Sequence, residues 1–182
     1  RRQRQMCIRD RDITKMSDRY IHIPYQMDEV STFLIMRHSF TIPNAAANAE
    51  YTSLQLSLEP RLKETLDFVT DNNPEQKSHI SRLLPMHPYT AYLCSTISNF
   101  VGSSNRSVIK FMHDEESGFA AFLDNEANYG TGTLLTADAL WDFFYSEFDE
   151  DVASSTFTSL YKSFESTVAA QGEDYLRVFK TI

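Results

Sequence analysis

Apolar positions along most of the chain recur at a helical period. The clearest stretch follows Pro88, where Tyr89, Tyr92, Leu93, Thr96 and Ile97 fall at i, i+3, i+4, i+7 and i+8, continued by Phe100 and Val101, and make one broad stripe. Pro88 suits the first turn, where a missing N–H leaves no intrahelical bond unmade, and Gly102 suits the position just past the end. Ser103 or Ser104 then caps a helix from Asn105 to about His113, with Val108, Ile109 and Met112 facing inward. Phe119–Leu123 reads as a short helical segment, and Tyr129-Gly-Thr-Gly132 as a turn. Thr136 caps a helix with Leu140, Phe143, Phe144 and Phe148 on one side, and Asp138 complements its N-terminus. The acidic run Glu147–Asp151 opposes a helix C-terminus and is therefore assigned to the following loop. Phe157, Leu160, Tyr161, Phe164 and Val168 outline a further amphipathic helix that Gly172 ends, and a last apolar stretch starts at Tyr175.

The first third of the chain is less regular. Tyr20-Ile-His-Ile-Pro24 alternates and predicts a short strand near residues 19–24. Asp28 caps a helix carrying Val30, Phe33, Leu34 and Phe40. Residues 43–48 read as a loop or a short turn of helix. Leu58, Leu62, Leu66 and Val69 follow helical spacing, and Pro60 is assigned to the first turn of that helix, because an interior proline breaks the backbone ladder. Asp71-Asn-Asn-Pro74 ends it. The fold class expected is mainly α, a helical bundle with at most that short β segment.

Composition narrows the function. The apolar fraction is 42%, with 13 Phe and 9 Tyr, which is enough for a core; 5 Gly and 6 Pro exclude a low-complexity chain. A net charge of −8 argues against general nucleic-acid binding, which needs clustered Lys and Arg. Cys7 and Cys94 stand far apart without a paired His, so they read as free thiols in a reducing cytoplasm, and no zinc set is expected. No apolar run approaches the ~20 residues that span a bilayer.

No phosphate loop of the form GxxxxGKS/T, no GxGxxG, no HExxH and no GxSxG is present. No catalytic residue and no metal ligand is assigned. His87 reads as a local backbone partner ahead of a helix. Asp114, Glu115 and Glu116 read as a solvated turn. Asp138 and Asp142 share a helix face at i, i+4, a spacing that fits a cation or an exposed acidic face. Trp141 is a candidate contact surface within an otherwise core-forming aromatic stretch.

Three segments carry a family resemblance: Pro85-Met-His-Pro88, Asn105-Arg-Ser107 and Leu135-Thr-Ala-Asp-Ala-Leu-Trp-Asp-Phe143. They resemble, in order, the P-x-H-P lead into a helix, the N-x-R-S turn and the L-T-x-D-x-L-W-D-F/Y helix found C-terminal to the nucleotide-binding core of large bacterial AAA-related P-loop ATPases, including those of BREX-type phage-defence loci. The likeness covers about Leu83–Tyr145. The turn departs from the family pattern, with Ser104 before the Asn and no acidic residue between Asn105 and Arg106. Separately, Met6-Cys-Ile-Arg-Asp-Arg11 resembles translated sequencing adapter.

The resemblance implies residues 1–11 as a non-native segment, 12–50 as the end of an ATPase core or a lead-in from it, and 51–182 as a helical lid-like domain cut at its C-terminus. It implies nucleotide sensing by Asn105 and Arg106, because a helix N-terminus with an Arg in its first turn suits phosphate oxygens. ATP and Mg would bind in the full-length parent and neither to this fragment alone. The partners implied are the upstream core of the same chain and other proteins, with DNA reached through other parts of the parent, in a cytoplasmic setting without a membrane. The alternative is a non-enzymatic helical module that binds proteins or DNA.

Overall fold

The computed structural model describes residues 29–100, 104–128, 132–150 and 155–182; at 98–100, 104–106, 147, 149–150 and 155 it gives the backbone alone. The expectations for the strand near 19–24, for the Asp28 cap, for Cys7, Gly102 and the 129–131 turn, and for residues 1–11 lie outside the described residues. Among those described the secondary structure is helical: α1 (Glu29–His38), α2 (Ala45–Val69), α3 (Pro74–Ser81), α4 (Pro88–Phe100), α5 (Ser104–His113), α6 (Phe119–Asp124), a 3-10 turn (Glu126–Asn128), α7 (Asp138–Glu150), α8 (Ser155–Ala169) and α9 (Glu173–Phe179). The mainly α bundle read from the periodicity is the fold observed.

α4 is the central helix and packs against α1, α2, α3 and α5. The main core is built from Phe33 and Met36 of α1, Cys94 of α4, Phe111 and Met112 of α5, and Leu140 and Phe144 of α7, all buried. Phe111 lies edge-on to Phe143 at 5.1 Å and near Phe144 at 6.1 Å, which ties α5 to α7. A smaller cluster of Leu58, Leu62 and Leu84 fixes α2 to the loop before α4.

Three expectations are corrected. Helix α2 does not begin at Pro60: it starts at Ala45, capped by Asn44, whose Oδ1 accepts from the Ala47 N–H at 2.9 Å, and carries Pro60 inside it. Buried Leu58 and Leu62 anchor the helix on either side of the proline. The Tyr51 hydroxyl donates to the Arg82 carbonyl and Gln55 Nε2 to the Ser81 carbonyl, both at 2.8 Å, which holds the N-terminal half in place. α2 therefore runs unbroken through residue 50.

The acidic run is also not confined to a loop, because α7 continues to Glu150. Phe148, packed at 5.8 Å from Trp141 and 6.1 Å from Phe144, draws the helix on by another turn. Ile109 is exposed, and Phe111 takes the inward position beside Val108 and Met112. α3 has too little apolar patterning to be read from periodicity. Its start is written instead in Asn73-Pro74, where the Asn73 carboxamide accepts from Glu75 and Gln76 N–H and Pro74 opens the helix. Asp71 and Asn72, at φ +46° and +61°, make the left-handed turn between α2 and α3, a conformation their short polar side chains tolerate.

The link from α5 to α6 depends on Gly118. A Cβ there would stand 2.2 Å from the Phe111 carbonyl oxygen and 2.8 Å from Asp114 Cβ. Gly118→Ala is therefore expected to destabilise the chain by about 1–3 kcal/mol through overpacking, read as a lowered denaturation midpoint. An unchanged midpoint would show that this close approach imposes no constraint.

Candidate functional site

Two of the resembling segments meet directly. Pro85–His87 runs alongside Leu135 in an isolated parallel bridge between Met86 and Leu135. The Leu135 N–H donates to the Pro85 carbonyl and the His87 N–H donates to the Leu135 carbonyl, each at 3.0 Å. The buried Thr90 hydroxyl adds a third bond to that same carbonyl at 3.0 Å. His87 accepts the Tyr89 N–H on Nδ1 at 3.2 Å, the local backbone role expected of it. Burial lowers its pKa below the ordinary 6.5, which keeps the ring neutral and its acceptor lone pair in place.

The start of α7 forms a compact polar cluster. The Thr136 hydroxyl donates to Asp138 Oδ1. Arg177 of α9 donates through Nε to Asp138 Oδ2 at 2.9 Å and through Nη2 to Thr136 Oγ1 at 2.8 Å. Lys180 pairs with Asp142 at 2.7 Å. The Asp138–Asp142 face thus receives cations from within the chain. Burial raises the Asp138 pKa, but the Thr136 and Arg177 hydrogen bonds outweigh it and the carboxyl sits below its usual range. Among the described residues no group of three or more His, Cys, Asp or Glu converges in a metal-like arrangement. Asp114 caps its own turn, accepting from Ser117 N–H at 2.8 Å and Glu116 N–H at 3.1 Å.

The backbone of Asn105 and Arg106 lies in the first turn of α5, and their side chains lie outside the described residues. Cys94 is fully buried and free, and burial pushes its thiol up to about 12. Periodicity did not disclose an open apolar cleft of about 400 Å³ among α4, α7, α8 and α9, with Leu93, Ile97, Leu140, Trp141, Phe157 and Leu160 in its walls. The signal in the sequence is α8, whose stripe carries more large apolar residues than its two packing neighbours cover. Among the described residues no helix is long and apolar enough to cross a membrane. Comparison with protein-family models, with curated proteins and with solved structures finds no match to the chain.

Two titrations follow. His87 has a lowered folded pKa, so its contribution to stability is complete above the unfolded value near 6.5 and is lost as pH falls through that value toward the folded pKa. Asp138 contributes above the ordinary 3.8 and loses its contribution as pH falls through its lower folded pKa. Denaturation midpoints measured from pH 8 downward are expected to fall below about pH 6.5, and His87→Gln removes that step. Persistence of the step in His87→Gln would contradict the assignment. Arg177→Ala is expected to cost about 1 kcal/mol or less, since the guanidinium is largely solvated, and to leave the His87 step intact. Cys94 is expected to resist iodoacetamide in the native chain and to react on unfolding; native labelling at the rate of a free thiol would show that the core opens.

Proposed function

We propose that this chain is the helical lid region of a P-loop ATPase, contributing nucleotide sensing and conformational coupling in the full-length protein, with phage defence as its setting. The observation that supports the reading is the convergence of the resembling segments. The P-x-H-P turn is hydrogen-bonded to the L-T-x-D segment at Leu135. The helix that opens with Asn105 and Arg106 is packed through Phe111 onto Phe143 and Phe144. A displacement at the α5 N-terminus has a rigid path into α4 and α7, because close-packed cores transmit strain.

In this reading Arg106 stabilises charge on the terminal phosphate and performs no covalent chemistry. ATP and Mg are held by the upstream core, and the protein is cytoplasmic. In the full-length parent, Arg106→Ala is expected to lower kcat by roughly a hundredfold while changing nucleotide Kd much less. Unchanged turnover would remove the sensing role. The isolated chain is expected to hydrolyse no ATP, and turnover that survives purification away from other ATPases would contradict the reading.

A second reading, a non-enzymatic helical docking module, is favoured by the open apolar cleft beside Trp141. The acidic balance of the chain directs it to protein partners, with DNA contacts left to other parts of a parent.

A further inference from the structure

We infer that this chain pairs with a second copy of itself through the outer face of α8, antiparallel about a two-fold axis near Leu160. The inference rests on the docking reading above and names the partner. On α8, Phe157, Leu160 and Phe164 are 64%, 54% and 50% exposed. They fall at i, i+3 and i+7, so they form one row along the helix. Away from α8 and the chain that follows it, the exposed large apolar side chains among the described residues are Leu34, Leu56, Phe68 and Ile109, spread over α1, α2 and α5. Scattered residues of that kind need no partner, whereas a contiguous row does. Phe157 and Leu160 also line the cleft beside α4 and α7, so the row starts in a hollow and ends on open surface at Phe164.

The charges of α8 leave this face neutral. The helix has one cation and one anion, and both are engaged within the copy: Lys162 stands 5.7 Å over the Tyr145 ring, and Glu165 accepts the Tyr161 hydroxyl at 3.1 Å. Thr156, Ser159, Ser163 and Thr167 take the helical positions that border the row, exposed and uncharged. Lys180, in the cleft wall, is paired with Asp142 at 2.7 Å. Two copies of net charge −8 repel one another, so self-association has to use a face that brings no like charges together. The outer face of α8 meets that condition.

The row is also self-complementary. A two-fold interface uses one patch twice, so that residue i meets j and j meets i. Phe157, Leu160 and Phe164 place phenylalanine at both ends and leucine between them. Two α8 helices laid antiparallel with the axis near Leu160 therefore set Leu against Leu, and Phe157 against the partner's Phe164. The incoming ring enters the cleft of about 400 Å³ beside Phe157, where Leu93, Ile97 and Trp141 stand in the walls. Each copy covers three large side chains that are half or more exposed, roughly 100 Å² apiece, together with the bordering Ser and Thr and the cleft walls. The total for two copies is roughly 1,000 Å², the lower end of specific interfaces, which suits a dissociation constant on the order of 10 μM.

The test is sedimentation velocity of the 182-residue chain from about 1 to 200 μM, a range that brackets that constant. Monomer is expected at the low end and dimer at the high end, with tighter association in high salt, which screens the repulsion between copies. Leu160→Lys and Leu160→Glu, at an exposed position and checked by circular dichroism, are each expected to stay monomeric, because like charges meet at the axis. Their equimolar mixture is expected to associate more tightly than either variant alone, because opposite charges then meet there. Transfer of Trp141 emission, from the single tryptophan, to the dye ANS reports whether the cleft is open to an apolar ligand. A dimer that both substitutions leave intact would overturn α8 as the interface. A mixture that associates no better than its components would overturn the axis at Leu160. A chain monomeric at every concentration, with ANS still bound beside Trp141, would overturn the second copy as occupant and leave the docking reading to another partner. Monomer without ANS binding would overturn the inference and the docking reading together.

Discussion

The fold depends on one short stretch of backbone pairing, between Pro85–His87 and Leu135. These segments lie about fifty residues apart, and neither belongs to a helix. Leu135 is buried, so its N–H and C=O need partners; Pro85, His87 and Thr90 supply them. Leaving a buried polar group unpaired costs about 1–3 kcal/mol, so the two segments are held in a single register. Because α4 begins right after one segment and α7 right after the other, this pairing sets the spacing of the two helices. Phe111 of α5 then meets Phe143 and Phe144, and Cys94 enters the same core.

The periphery is held differently. α9 has no fully buried residue. Its attachment combines two ion pairs to α7 with a ring stack on α8. Exposed ion pairs contribute little each and weaken with salt. A rigid centre with a charge-held edge suits a part that transmits displacement or receives a partner. The dense centre is common to the lid and docking readings, and the open cleft is what distinguishes the second.

The elements most legible in the sequence were α4 and the bodies of α5 and α7, where broad apolar stripes meet buried surroundings, and α8, whose stripe is legible although Phe157, Leu160 and Phe164 stay exposed. The start of α2 was not legible. Pro60 signals a helix start locally, and only the Leu58–Leu62–Leu84 cluster and the long-range bonds of Tyr51 and Gln55 show why the helix passes through it. α3 was hidden because eight largely polar residues leave just Ile80 for the core. The acidic end of α7 defeated a correct dipole argument because aromatic packing by Phe148 is stronger than the terminal charge effect. For the sites, His87 could be read locally. The pairing of Asp138 and Asp142 with Arg177 and Lys180 could not, since it joins residues nearly forty positions apart.

The central claim is that the P-x-H-P turn and the L-T-x-D segment form one structural unit pinned at Leu135. Native-state amide hydrogen exchange tests it directly. The Leu135 and His87 amides, though outside any helix, are predicted to exchange only through global unfolding, with the same opening free energy as core amides of α4. Exchange of these two amides at the rate of an exposed loop, with α4 still protected, would contradict the account.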